Sequence, residues 1–77
     1  MSGRTTGMQS TTAANVRAEM ARRQVRQVTL AQRLGLSQAA ISRRINGETE
    51  FSVAELLAVA DLLGVSASAL LGEDVAA

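Results

Sequence analysis

Cysteine, histidine, tryptophan and tyrosine are all missing from this 77-residue sequence. Without cysteine there is no disulfide and no thiolate metal site, and without histidine the commonest general base and metal ligand is gone. Phe51 is the single aromatic residue, which disfavours single-strand nucleic-acid binding because that mode uses aromatic stacking platforms. The sequence also shows no nucleophile–base pair and no glycine-rich phosphate loop. We therefore expect no enzyme, no catalytic residue, no metal ligand and no cofactor.

Long apolar runs are missing as well. No stretch approaches the ~18 residues of a membrane span, and the first positions lack the apolar core of a secretory signal. We therefore expect a cytoplasmic protein that has no membrane partner. A chain of 77 residues allows one domain. We place it at 12–72, between a disordered tail over 1–11 and a loose tail over 73–77.

Lysine is absent too, and the charges that remain are unevenly distributed. All eight basic residues are arginines in positions 1–45, namely Arg4, Arg17, Arg22, Arg23, Arg26, Arg33, Arg43 and Arg44. Glu19 is the one acid in that stretch, whereas positions 46–77 contain six acids and no base. This asymmetry favours a protein with one basic face that binds a polyanion and an acidic face that points away from it. Uneven surface charge without a functional role stays open as the alternative.

Hydrophobic periodicity and capping residues predict an all-α fold with five helices. The first helix is predicted to begin near Thr11 or Thr12 and to run to about residue 24. The second is predicted at about 27–34 and the third from 38 to about 45. The fourth follows the cap at Ser52 and runs to 63, and the fifth follows the cap at Ser66 and runs to 71. Ser52 and Glu55 form the capping box that begins the fourth helix. We expect Phe51, the leucines and the valines to form the core.

The second and third helices, with the glycine-containing turn between them, are typical of a helix-turn-helix over roughly 27–45. Gly35 can adopt the left-handed conformation that ends the first of these helices, and Ser37 can cap the second. Such a turn lets the second helix protrude and enter a major groove ~12 Å wide, where its N-terminal residues reach the base edges. The predicted base contacts in duplex DNA are Gln38, Ala39, Ser42 and Arg43.

Each predicted base contact has a chemical reason, and three of the four have an alternative role. Gln38 can pair with adenine, and Arg43 can pair bidentately with guanine. The Ala39 methyl can touch a thymine methyl, and Ser42 can bond either a base or a phosphate. Alternatively, Gln38 is a solvated residue, Ser42 bonds back to its own helix, and Arg43 meets a phosphate in place of a base.

A second set of residues is predicted to contact phosphates, because N–H groups at helix starts favour phosphate oxygens. These residues are Gln27, Ser37, Arg44, Asn46, Arg23 and Arg26. Two alternatives stay open. Arg44 could lay its stem across the edge of the core, and the arginines of the first helix could form only a solvated face.

Two segments, LAQRLGLSQAAIS at 30–42 and ELLAVADLLGV at 55–65, lie in a five-helix pattern from about Ala13 to Gly72. They resemble the Cro/cI-type helix-turn-helix family, also called the xenobiotic-response-element family. The resemblance implies a lambda-repressor-like DNA-binding domain with base or phosphate contacts at positions 38, 39, 42 and 43. It also implies that Gln27 braces a phosphate and Gln38, and that Asn46 meets the DNA backbone. The segment SRRINGETEF is similar to a variant common in actinobacteria and their phages.

The chain departs from the family pattern at three places. Arg26 stands where the cap of the second helix is usually serine or threonine, so this helix should begin less firmly. Glu50 stands where many relatives have proline. Met20 and Ile45 occupy positions where many relatives carry a buried arginine–glutamate pair. We expect an apolar contact between them, a replacement that is often neutral or stabilising.

The resemblance implies a sequence-specific regulator of double-stranded DNA, and within it a phage or prophage repressor, Cro-like or immunity-type, that occupies an operator. Such domains usually bind as two-fold pairs, and the apolar segment 65–71 is a candidate homodimer surface. Its alternative role is only to close the monomer's core. A hypothesis from another class is an antitoxin or protein-binding module that grips a protein partner through the acidic half, 46–77. That module would bind DNA weakly and without regard to base sequence.

Overall fold

Five helices make up the part of the chain that the structure describes, and this part contains no strand. The structure is a computed structural model that describes the backbone of residues 7–72 and the side chains of residues 11–72. The helices are α1 Gly7–Arg23, α2 Gln27–Leu34, α3 Gln38–Ile45, α4 Val53–Leu63 and α5 Ala67–Leu71. The predicted all-α, five-helix fold is confirmed.

The beginning of α1 differs from the prediction. The helix begins at Gly7, about one turn before Thr11 and Thr12, so neither threonine marks its start. Helix α1 thus overlaps residues 7–11 of the segment predicted as a tail, while residues 1–6 and the predicted tail over 73–77 lie outside the described residues. In residues 7–10 the poor helix former Gly7 stands beside the good helix formers Met8 and Gln9, so helix propensity alone does not mark this first turn.

Serine caps account for the starts of three of the later helices. Ser37, Ser52 and Ser66 each accept a hydrogen bond from the backbone N–H three residues on. The predicted capping box of Ser52 and Glu55 is confirmed, since both of its reciprocal hydrogen bonds are present. Arg26 holds the cap position of α2 without a side-chain hydrogen bond, which agrees with the expected weak start of that helix.

One apolar core joins all five helices. Its fully buried side chains, which anchor each helix, are Val16, Leu30, Ile41, Val59 and Leu70. The expectation that every leucine and valine is core is wrong for two residues of α4, since Val53 is 77% exposed and Leu57 is 55% exposed. The physical reason is that apolar residues surround much of α4, whereas a helix in so small a fold can bury only one side.

Met20 and Ile45 both lie in this core, with 7% and 4% of their surfaces exposed. Both residues are thus apolar and buried in one cluster, and the direct contact expected between them stays a prediction. A polar link between the same two helices exists beside them, because the Arg17 guanidinium donates a hydrogen bond to the Ile45 carbonyl. The carbonyl groups at the end of α3 lack helical partners, so Arg17 ties the end of α3 to α1.

Within the described residues, no helix combines the length and the apolar character that crossing a membrane would require.

Candidate nucleic-acid interface

The turn between α2 and α3 fixes how α3 leaves the bundle. Gly35 adopts the left-handed conformation with φ 70° and ψ 31°. A Cβ at this glycine would meet no atom within 4 Å, so the turn requires glycine for its backbone angles and not for space. The N–H groups of Gly35 and Leu36 both donate to the Ala31 carbonyl, which closes the end of α2. The side chain of Leu36 packs against the core.

Ser37 begins α3 with the geometry expected of a cap. Its backbone is extended, and its Oγ accepts a hydrogen bond of 3.0 Å from the Ala40 N–H. From there α3 turns Ile41 and Ile45 into the core. The opposite side of the helix is left to solvent.

The four predicted base contacts lie on this outer side. At 100° per residue, positions 38, 39, 42 and 43 fall within an arc of about 140°. Gln38, Ala39 and Arg43 are exposed, whereas Ser42 is half-buried. The Ser42 Oγ accepts a long hydrogen bond of 3.5 Å from the Asn46 amide, so Ser42 has a partner within its own helix cap. The structure therefore brings three exposed side chains and one half-buried hydroxyl onto one face.

The predicted phosphate contacts lie mostly at helix ends. Gln27 and Arg26 are exposed at the beginning of α2, and Ser37 and Asn46 are exposed at the two ends of α3. Arg23 is exposed at the end of α1, where its Nε lies 3.3 Å from the Glu19 carboxylate. That ion pair lies on a helix surface and is therefore weak in water, so it would not prevent Arg23 from binding a phosphate.

The arginines differ in what their side chains contact. Arg22 also pairs with Glu19, Arg33 pairs with Asp61, and Arg17 bonds the Ile45 carbonyl. Within residues 11–72, Arg26 and Arg43 are the arginines whose side chains make no hydrogen bond or ion pair. Arg43 is thus a cation on the outer face of α3 that no group in residues 11–72 binds.

Arg44 is the predicted phosphate contact whose surroundings the sequence did not reveal. Its side chain is only 17% exposed, and its Nε lies 2.9 Å from a carboxylate oxygen of Glu55 in α4. The Arg44 guanidinium, and after it the Ser52 backbone amide, lowers the pKa of the Glu55 carboxyl below its ordinary value. The sequence signal for this pair is faint: a basic residue in the last turn of one helix and an acid in the first turn of another.

Comparison with known proteins gives one family match. A family model described as helix-turn-helix matches residues 16–70, which is more than two thirds of the chain. No curated protein and no solved structure matches. The matched region includes α2 and α3 with their turn, and the core helices that support them. The chain therefore belongs to the Cro/cI-type helix-turn-helix family of DNA-binding regulators.

Proposed function

We propose that this chain is a sequence-specific transcriptional repressor of a phage or prophage switch, which inserts α3 into the major groove of an operator. The observation that carries the proposal is the exposed Arg43, which has no partner among the described residues, beside exposed Gln38 on a serine-capped helix. A repressor of this kind acts by occupying DNA and blocking polymerase, in the cytoplasm of its bacterial host.

Base reading is assigned to the outer face of α3. Arg43 pairs with O6 and N7 of a guanine, and Gln38 pairs with N6 and N7 of an adenine. The methyl group of Ala39 contacts a thymine methyl. Ser42 is the weakest member of this set, because its hydroxyl already accepts from Asn46.

Phosphate contacts surround this face and set its register on the duplex. We assign them to exposed residues at the ends of α1, α2 and α3, namely Arg23, Arg26, Gln27, Ser37 and Asn46. Ser37 contributes chiefly through the N–H groups that its cap orients at the start of α3. Arg44 is left out of this set, because its guanidinium is engaged with Glu55.

Pairing of two copies through residues 65–71 is part of the proposal. Leu70 is fully buried in the monomer, whereas Val65, Ala67 and Leu71 are half-buried against the core. Two copies would place two α3 helices about one helical turn of DNA apart. Light scattering of the free chain and of its DNA complex measures this directly: two copies per duplex supports pairing, and one copy removes it.

The direct test of the function is a selection from a pool of randomised duplexes, followed by titration of the selected duplex and a scrambled one. We expect affinity for both duplexes to fall steeply with salt, with the selected duplex preferred at every salt concentration. A specific reader typically prefers its site by about 10³-fold or more. Failure to enrich any sequence would contradict the proposal.

A protein-binding role, as in an antitoxin, is the second candidate. It is favoured by an apolar groove of about 260 Å³ whose lining includes Phe51, the exposed Val53 and Leu57, and Leu71. Exposed apolar surface of this kind is typical of contact sites. If the chain is a protein-binding module, the selection enriches no sequence and the affinity for every duplex is weak.

A further inference from the structure

The Arg44 side chain is held in place by hydrogen bonds from all three of its guanidinium nitrogens. Its Nε donates to Oε1 of Glu55 at 2.9 Å, and its Nη2 donates to Oε2 of the same carboxylate at 3.4 Å. Its Nη1 donates to the Ala40 carbonyl, one turn back in α3, at 3.1 Å. The two side chains are 17% and 21% exposed, so the pair is shielded more than a surface ion pair.

Glu55 is itself fixed. Its Oε1 accepts the Ser52 N–H at 2.9 Å, and its own N–H donates to the Ser52 Oγ at 3.1 Å. The carboxylate therefore belongs to the first turn of α4 and cannot swing freely. Arg44 gains a partner whose position the backbone of α4 determines.

This pair is a direct polar link between α3 and α4, whose backbones do not approach closely. No Cα atom of α3 lies within 8 Å of a Cα atom of α4 in residues 7–72, although both helices contribute to the core. With eight residues, α3 is shorter than the ~12–15 residues that an isolated helix needs for stability. The orientation of α3 therefore depends on tertiary contacts. The paired hydrogen bonds from Arg44 to the Glu55 carboxylate are one such contact, and their geometry is directional.

The position of Arg44 makes it suited to set the rotation of α3. It follows Arg43 in sequence, so the two side chains leave the helix about 100° apart. When Arg44 is drawn toward Glu55, Arg43 is turned to the exposed face. Release of Arg44 would remove this directional contact and leave the orientation of α3 to the core packing of Ile41 and Ile45.

We propose that Arg44 is a positioning residue, which sets the orientation of α3 for base reading through Glu55 and does not act by contacting a phosphate. This inference rests on the proposed function, since it concerns how α3 meets its preferred duplex. The inference predicts that breaking the Arg44–Glu55 pair lowers the preference for the selected duplex and does not change the salt-dependent affinity for DNA in general.

The test uses two variants of the full chain, Glu55→Gln and Arg44→Lys. Glutamine keeps the oxygen that accepts the Ser52 amide, as a capping box allows, but it loses the charge that binds Arg44. Lysine keeps the charge of Arg44 but cannot make the two-point fork. Glu50→Gln is the matched control, because Glu50 is exposed and its side chain has no ion-pair or hydrogen-bond partner in residues 11–72.

Affinity for the selected and the scrambled duplex is measured at several salt concentrations, and urea unfolding verifies that each variant is folded. In both test variants the affinity for the selected duplex should fall about three- to thirtyfold. The affinity for the scrambled duplex and the dependence of binding on salt concentration should not change. Glu50→Gln should retain the preference of the parent chain.

Two results would overturn this inference without contradicting the proposed function. The first is that Glu55→Gln keeps the parent preference, as the control does. The second is that Arg44→Lys binds like the parent while Arg44→Ala weakens all duplexes alike and lowers the salt slope by about one, the signature of a phosphate contact. A parent chain without any preferred duplex would instead overturn the proposed function, and this inference with it.

Discussion

Arg43 and Arg44 are adjacent residues of the same type with opposite surroundings. The sequence allowed both to be predicted as DNA contacts, because both belong to a basic recognition segment. The helical rotation of about 100° per residue separates them, and the acid that binds Arg44 lies eleven residues away in another helix. No local pattern encodes that partner, so only the tertiary arrangement distinguishes the two arginines.

Gln24 is a residue whose conformation the sequence did not reveal. It follows α1 with a positive φ of 57°, and the next residue, Val25, donates its N–H back to the Met20 carbonyl. This is the position where glycine is usually found. Gln24→Gly should raise the free energy of unfolding by about 0.5–1 kcal/mol, because relief of left-handed strain exceeds the added entropy of the unfolded chain.

The matched control for Gln24→Gly is the same substitution at Gln32, which is exposed inside α2. There glycine should lower the free energy of unfolding by about 1 kcal/mol, as in any helix interior. Urea denaturation of both variants measures the two effects. Equal losses in the two variants would mean that the αL conformation of Gln24 carries no strain.

Glu55 makes stability depend on pH. Its pKa is lowered in the folded chain by Arg44 and then by the Ser52 amide. Glu55 therefore contributes to the free energy of unfolding above its unfolded pKa of about 4.3. This contribution is lost as the pH falls through the lowered pKa of the folded chain. Glu55→Gln should be less stable than the parent at pH 7, and the difference should be smaller at pH 3, because Glu55 takes up a proton as the pH falls while glutamine does not titrate. A difference that stays constant in urea unfolding at both pH values would contradict this assignment.

At the scale of elements, the serine cap of α3 should matter more than its single hydrogen bond suggests, because the helix has only two turns. Ser37→Ala should cost about 1 kcal/mol of unfolding free energy. Ser37→Asn, which restores a capping acceptor, should recover most of it. Denaturant unfolding of the two variants checks this, and equal stability of the alanine and asparagine variants would show that the cap is not used.

Helix boundaries were predictable where a polar cap or a glycine marks them, as at Ser37, Gly35 and Ser52. Around the start of α1 the sequence has serine or threonine at positions 5, 6, 10, 11 and 12, so capping residues did not single out its first turn. The exposure of Leu57 was missed for a different reason. Leu56 and Leu57 are equally apolar, and only the packing of α4 against the other helices decides that one is buried and the other exposed.

At the scale of the whole molecule, the charge asymmetry of the sequence predicted a basic face but not which arginines remain available there. Glu19, Glu55 and Asp61 each bind arginine side chains in the described structure. Arg26 and Arg43 lack such partners within residues 11–72. Ion pairing thus reduces a broad basic segment to a smaller set of cations at the helix-turn-helix.

The most direct test of base reading by α3 compares Arg43→Ala with Arg23→Ala on the selected duplex and on each of its single-base-pair variants. Loss of Arg43 should remove about 1–3 kcal/mol of discrimination at one base pair, because its guanidinium meets a guanine. Loss of Arg23 should weaken binding to every duplex about equally and lower the salt slope by about one. If both variants weaken all duplexes to the same extent, Arg43 reads no base and the assignment of α3 as the reading helix is contradicted.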